Sequence, residues 1–262
     1  MINEKCYLKS KRDCSAKITK EHFLSEGVLR LLDENHIKVR GAPWHEDGEV
    51  REYSLARLAS KILCKRHNEA LSSLDASARA FFGAVREMYD DIADTKTLSR
   101  KSIWYLFSGE ELELWLVKTA FGLYEAGYLV RDGVPLRDHQ LLNPELLDSL
   151  TGRPIAPPCG LYVMTTEGKH LGFRNSLDVN VLLSTDEQHM AGLSLAFMGL
   201  TFIIALDPRA SYARLQSAFK YRPGFLQFRN SKRMHNAVLT WPGGTGLRQK
   251  AVLFTKTRLD RL

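Results

Sequence analysis

The chain has 262 residues and an apolar fraction of 44%, which suits one large or two modest globular domains. Four cysteines are too few for a disulfide scaffold in a chain of this length and indicate metal binding or chemistry instead. The N-terminus lacks the apolar core of a signal peptide, and the longest apolar run, residues 190–206, is too short for a membrane span. We therefore expect a soluble, cytoplasmic protein with no membrane partner. Its net charge is +7, and these features do not indicate its oligomeric state.

The first 95 residues are predicted to form a domain of short elements that ends in a long helix. A loop between Cys6 and Cys14 leads into a strand that ends near His22. A short helix is predicted over residues 25–32 and a strand over residues 37–39. Apolar residues at spacings of three and four then predict a helix from Ser73 or Asp75 to about residue 92. We expect residues 94–97 to be a linker, and we place the domain boundary after residue 95.

Residues 96–262 are predicted to form a second, α+β domain of unknown type. The apolar pattern of residues 110–128 is typical of a helix. Short apolar runs separated by turn residues predict strands, and these runs are residues 160–164, 179–183, 193–198, 200–206, 237–240 and 251–255. The glycine-rich residues 241–246 lack the lysine of a phosphate-binding loop and are predicted to form a hairpin turn. The predicted fold class is α+β, with an antiparallel sheet in this part.

A structural zinc ion is predicted from the cysteines and one histidine near the N-terminus. Zinc prefers four soft or borderline ligands, which proteins commonly supply as two pairs. Cys64 and His67 form one pair with two intervening residues, whereas Cys6 and Cys14 are more widely spaced than usual. Spacing alone leaves open that these are free thiols and a surface histidine. The adjacent Asn68 and the upstream Glu21–His22 dipeptide favour zinc, and Cys159 is interpreted as an ordinary cysteine.

Two stretches of the first 95 residues together resemble the zinc-stabilised HNH endonucleases. Residues 13–22 (DCSAKITKEH) are similar to the first half of that family's motif, and residues 63–75 (LCKRHNEALSSLD) are similar to the second half. The resemblance implies a ββα-metal fold, in which two strands and a helix grip one divalent ion. This sequence departs from the family pattern in its wide first cysteine pair and in the lack of a second His or Asn late in the helix. Either Asp75 serves at that position, or Asn68 is the metal ligand, as in the resolvase-like branch of the family.

The residues of this motif permit metal-dependent hydrolysis of a phosphodiester bond. A neutral imidazole can accept a proton from water near pH 7, and His22 is the candidate general base. A hard ion such as Mg²⁺ or Mn²⁺ prefers oxygen ligands, which Glu21 and Asn68 can offer. Because adjacent strand residues point to opposite faces, Glu21 and His22 can serve one site only if the strand bends between them. Taken alone, the dipeptide fits a solvated surface better than a catalytic site, and it is the Cys64–His67–Asn68 cluster that favours catalysis.

The C-terminal part of the chain carries most of the positive charge. Residues 208–262 contain twelve Lys or Arg residues and a single acidic residue, Asp260. Such an asymmetry indicates an acidic partner, most often nucleic acid. The alternative is that these charges form a solvated face and that the interspersed aromatic residues belong to the core. The candidate nucleic-acid contacts are Arg209, Arg214, Lys220, Arg222, Arg229, Lys232 and Arg233.

These observations predict a metal-dependent endonuclease that acts on nucleic acid, with DNA expected over RNA. Its cofactors would be a structural Zn²⁺ and a catalytic Mg²⁺ or Mn²⁺. One alternative is a non-catalytic zinc module that binds nucleic acid. Another is an interaction component of a larger defence or mobile-element system.

Overall fold

The structure is a computed structural model that describes thirteen segments of the chain. These are residues 1–33, 35–40, 45–46, 49–93, 101–139, 142–164, 170–171, 176–186, 188–210, 212, 219–229, 233–242 and 250–255. The predicted linker at residues 94–97 and most of the predicted turn at residues 241–246 lie outside the described residues.

The described segments contain three α-helices, several short 3-10 helices and sixteen strands. The helices are α1 (Glu26–Leu29), α2 (Lys65–Ala93) and α3 (Gly109–Glu125), and the 3-10 helices are Lys9–Lys11, Leu55–Leu58, Leu136–His139 and Pro144–Thr151. The first eight strands are β1 (Ile18–His22), β2 (His36–Arg40), β3 (Val50–Ser54), β4 (Ala59–Cys64), β5 (Lys101–Ser108), β6 (Val130–Arg131), β7 (Val134–Pro135) and β8 (Gly160–Met164). The other eight are β9 (His170–Leu171), β10 (Ser176–Leu183), β11 (Met190–Phe197), β12 (Leu200–Ala205), β13 (Phe219–Tyr221), β14 (Phe225–Arg229), β15 (Arg233–Thr240) and β16 (Lys250–Thr255).

A two-stranded antiparallel sheet of β1 and β4, followed directly by α2, carries the residues of the predicted motif. The pairing register shifts between Thr19 and Glu21, because their partners on β4, Leu63 and Ser60, lie three residues apart. The extra residue is therefore on β4, and such a bulge increases the local twist of the strand pair. The register is regular between Glu21 and His22, so the bend that these two residues would need in order to face one site is not visible in the pairing.

Two larger sheets contain twelve of the other strands, and β6 and β7 form a separate antiparallel pair. The seven-stranded sheet has the order β13-β8-β12-β11-β10-β2-β3 and is antiparallel except between β10 and β2. The five-stranded sheet has the order β5-β15-β14-β16-β9, and only its β14–β15 pair is antiparallel. The mixed α+β class is confirmed. The predicted antiparallel sheet is found in the pairing of β8, β12, β11 and β10. The five-stranded sheet differs from the prediction, because three of its four strand pairs are parallel and are joined by crossovers.

The helices α2 and α3 form the centre of the core. Helix α3 contacts β8 and β12 of the larger sheet and β15 of the smaller one. The ring of Phe82 on α2 packs against Trp115 of α3 and against Phe197 and Phe202 of the larger sheet. Buried aromatic side chains contribute large apolar areas, so this cluster ties the larger sheet to both helices.

The observed elements agree with most of the predicted ones and differ at their boundaries. Helix α2 begins at Lys65, about ten residues before its predicted start, so His67 lies in its first turn and Cys64 directly precedes it. The predicted helix over residues 25–32 contains only one turn of α-helix, α1. Strands on both sides of residue 95 join in the seven-stranded sheet, and a single apolar core spans both sides. The domain boundary stays a prediction, because shared packing does not say whether each part can fold alone.

Candidate metal centre and adjoining cavity

The four predicted zinc ligands meet in space although they come from four separate positions in the chain. The ligand atoms of Cys6, Cys14, Cys64 and His67 all lie within 4.8 Å of one another, and all four residues are buried. Cys64 is the last residue of β4, His67 lies in the first turn of α2, and Cys14 precedes β1. The group therefore joins the N-terminal loop to the start of the long helix.

The spacing of this group fits a tetrahedral metal ion. Nδ1 of His67 lies 3.3 Å from Sγ of Cys6, 3.3 Å from Sγ of Cys64 and 3.8 Å from Sγ of Cys14. Zinc with Zn–S bonds of about 2.3 Å and a Zn–N bond of about 2.0 Å separates sulfur from nitrogen by roughly 3.5 Å. Three thiols and one imidazole around a common point could therefore hold a metal ion without rearrangement of the backbone.

The surroundings of the group favour metal binding as well. Nε2 of His67 lies 2.8 Å from Oδ1 of Asp13, which is the outer carboxylate that metal-bound histidines commonly have. Burial raises the pKa of the Cys64 thiol, but hydrogen bonds from the backbone N–H groups of His67 and Ser15 outweigh burial and bring the pKa down to about 7. Burial raises the pKa of Cys6 to about 12. Cys64 is therefore the thiol that becomes a thiolate ligand most readily.

A cavity of about 360 Å³ adjoins this centre, and all of the predicted catalytic residues line it. Its walls come from the end of β1, from α1 and from the first turns of α2. The lining residues are Lys20, Glu21, His22, Ser25, Glu26, Gly27, Asn68, Asp75 and Arg79. The fold thus brings together one histidine, several oxygen-bearing side chains and two cations.

His22 has the electrostatic properties of a neutral imidazole at pH 7. Burial lowers the pKa of His22, and the Glu26 carboxylate and a hydrogen bond to the Leu55 backbone only partly offset this effect. Its Nδ1 lies 3.9 Å from Oε2 of Glu26, beyond hydrogen-bonding distance. Its Nε2 is buried and has no hydrogen-bond partner among the described residues. An unsatisfied buried nitrogen of this kind is unusual in proteins.

Two side chains of the cavity have an oxygen without a partner in the described part of the chain. Nδ2 of Asn68 donates to Oγ1 of Thr19 at 3.0 Å and to the carbonyl oxygen of Lys20 at 3.2 Å, while its Oδ1 accepts no hydrogen bond there. Glu21 is buried, and its Oε1 forms an ion pair with Lys118. Its Oε2 has no ion pair or hydrogen bond among the described residues. Burial raises the pKa of Glu21, and Lys118 opposes this rise. An amide oxygen and a carboxylate oxygen are donors that a hard divalent ion accepts.

Asp75 and Lys118 form a buried ion pair beside the cavity. Nζ of Lys118 lies 2.7 Å from Oδ1 and 2.6 Å from Oδ2 of Asp75, and it also contacts Glu21. The Lys118 side chain is 3% exposed. One ammonium group is thus shared by two of the predicted metal ligands.

Sequence reasoning missed the two charged residues that support this site. Asp13 directly precedes the predicted ligand Cys14, and this adjacency only weakly indicates that its carboxylate contacts another ligand of the cluster. Lys118 and Glu113 are the only charged residues between Leu112 and Tyr124 of α3. Because charged residues are rarely buried without a partner, two charges in an apolar helix indicate buried ion pairs.

The predicted basic contacts do not form one exposed surface. Arg222 donates to both carboxylate oxygens of Glu113, at 2.8 and 2.7 Å, inside the protein, and Arg233 is buried against Asp91. Arg209 is exposed but paired with Asp207. Lys220 lies half-buried on β13, and Arg229 is exposed at the end of β14. Arg214 and Lys232 lie outside the described residues.

The chain matches no known family model, no curated protein and no solved structure. No helix in the described ranges is long and apolar enough to cross a membrane. Function must therefore be argued from the geometry of the metal centre and its cavity.

Proposed function

We propose that the protein is a metal-dependent endonuclease that hydrolyses phosphodiester bonds in the cavity beside the cysteine and histidine cluster. One observation carries this proposal. His22, Glu21 and Asn68, which the motif assigns to catalysis, line the same cavity next to the clustered ligands Cys6, Cys14, Cys64 and His67. Surface residues without a common role would not be expected to line one cavity beside a cluster of metal-binding side chains.

In this proposal the cluster holds a structural zinc ion. Zinc would fix the N-terminal loop to the first turn of α2, where Asn68 follows His67 directly. Small catalytic centres need such rigid support, because misplaced groups lose their effect on the reaction. The hydrogen bonds of Asn68 to Thr19 and Lys20 tie the same turn to β1.

His22 is the proposed general base. Its low pKa keeps the imidazole neutral near pH 7, so that it can take a proton from the attacking water. Glu21 and Asn68 would hold a Mg²⁺ or Mn²⁺ ion, which would stabilise the negative charge on the leaving oxygen. The arrangement of two strands and a following helix around these residues is compatible with a ββα-metal nuclease.

The charges at the cavity suit a polyanionic substrate. Lys20 and Arg79 line it, are exposed, and form no ion pair or hydrogen bond through their side chains in the described segments. Such cations can neutralise the phosphates that flank a scissile bond. DNA is the proposed substrate over RNA, on the strength of the motif.

The test is incubation of the purified protein with plasmid DNA and with RNA, in Mg²⁺, in Mn²⁺ and in EDTA. We expect cleavage in the presence of either metal and none in EDTA, since the leaving oxygen would lack charge stabilisation. Binding without cleavage under every metal condition would instead favour the non-catalytic nucleic-acid-binding zinc module.

A further inference from the structure

A buried lysine from outside the motif reaches the proposed catalytic cavity. Lys118 belongs to α3, which follows the predicted boundary at residue 95. Its ammonium group contacts both Glu21 and Asp75. These are the two carboxylates that the sequence offers to a divalent ion, so the lysine determines what each of them can still bind.

Asp75 has no carboxylate oxygen left without a partner. Its Oδ1 accepts hydrogen bonds from Oγ of Ser25 and from Nζ of Lys118, and its Oδ2 accepts one from Lys118. Ser25 is itself fixed, because Nε1 of Trp115 donates to its Oγ at 2.6 Å. An ion that bound Asp75 would have to sit beside the positive ammonium group on a shared oxygen or displace that group, which would then lack one of its charge partners.

Glu21 differs from Asp75 in this respect. Only its Oε1 contacts Lys118, and its Oε2 has no hydrogen bond or ion pair within the described segments. Glu21 and Asn68 line the same cavity. The ammonium group therefore fixes the Glu21 carboxylate through one oxygen and leaves the other oxygen available.

We propose that Lys118 is a positioning residue that selects Glu21, and excludes Asp75, as the carboxylate ligand of the divalent ion. This inference rests on the proposed function, since it assumes that a divalent ion binds in this cavity. Lys118 keeps Asp75 neutralised and orients Glu21 from behind the cavity wall. It also makes α3 part of the site, so the motif residues alone do not define the metal site.

The test is the affinity of the zinc-loaded full-length protein for Mn²⁺, measured without nucleic acid by electron paramagnetic resonance of free Mn²⁺. Glu21→Gln should weaken binding by about tenfold or more, since disturbing even an outer partner of a metal site costs about 10–100-fold. Asp75→Asn should leave the affinity close to that of the wild type. These two variants are matched, because each replaces one carboxylate that contacts Lys118 by its amide.

A second pair of variants tests the lysine directly. In a Lys118→Met background the Asp75 carboxylate no longer has its ammonium partner, so adding Asp75→Asn should now weaken Mn²⁺ binding. In a Lys118→Arg background the cation is kept, so Glu21→Gln should still weaken Mn²⁺ binding and Asp75→Asn should not. If Lys118→Met does not fold, the comparison of Glu21→Gln with Asp75→Asn in the wild-type background still shows which carboxylate binds the ion.

Equal weakening by Asp75→Asn and Glu21→Gln would overturn the inference, as would a wild-type protein that binds no Mn²⁺. The cleavage assay separates this failure from that of the proposed function. Cleavage together with a strong effect of Asp75→Asn on Mn²⁺ binding would refute only the role of Lys118. The expected binding pattern without cleavage would refute only the nuclease.

Discussion

Replacing His22 by Ala is expected to slow cleavage by about a hundredfold or more, which is the usual contribution of a general base. The imidazole has a pKa lowered by burial, and its Nε2 has no partner among the described residues. Its loss should remove the group that accepts the proton of the attacking water. Because His22 is no ligand of the zinc cluster, bound zinc and the melting temperature should stay near the wild-type values.

The matched control is His139→Ala, which removes an exposed histidine on a 3-10 helix. It should cut nucleic acid at the wild-type rate. The measurement is the initial rate of plasmid nicking at saturating Mg²⁺ for the three proteins. A wild-type rate in His22→Ala would show that His22 is not the base.

Replacing Cys64 by Ser is expected to abolish zinc binding and to destabilise the fold severely. Structural zinc contributes about 10–16 kcal/mol in small zinc peptides, so even a fraction of that would lower the melting temperature strongly. Cys64 ends β4, its Sγ lies 3.3 Å from Nδ1 of His67, and its loss would leave three ligands at a buried position. The N-terminal loop and the first turn of α2 would then lose their common anchor.

The control for this variant is Cys159→Ser. Cys159 is also a buried thiol, but it lies outside the cluster, and burial raises its pKa to about 11. Elemental analysis should find about one zinc per chain in the wild type and in Cys159→Ser and none in Cys64→Ser, as a single four-ligand site requires. Wild-type protein that is well folded but free of zinc would refute the zinc assignment.

Local signals in the sequence predicted much of the candidate site. The Cys64–His67 pair spans the junction of β4 and α2, and its short spacing was enough to predict that both side chains meet at one point. The apolar periodicity of α2 and α3 and the short apolar runs of β8 and β11 identified those elements, because each pattern is contained in a single segment. Glu21, His22 and Asn68, which the motif order groups together, line one cavity, and their catalytic role stays a prediction.

Features that depend on distant parts of the chain were not predictable. The parallel pairing of β5 with β15 joins segments more than a hundred residues apart, and no local pattern encodes it. The ion pair of Lys118 with Asp75 likewise depends on how α3 packs against α2. Arg222 and Arg233 look like surface charges in a basic segment, yet tertiary packing buries both beside carboxylates.

The most direct test of a metal-dependent catalytic cavity is the cleavage rate as a function of Mn²⁺ concentration for the wild type, Asn68→Ala and His22→Ala. Asn68→Ala would lose an oxygen ligand but keep the base, so excess Mn²⁺ should restore part of its activity. His22→Ala would keep the ligands but lose the base, so its rate should stay low at every concentration. No cleavage by the wild type at any Mn²⁺ concentration, or an equal recovery of both variants, would contradict this account.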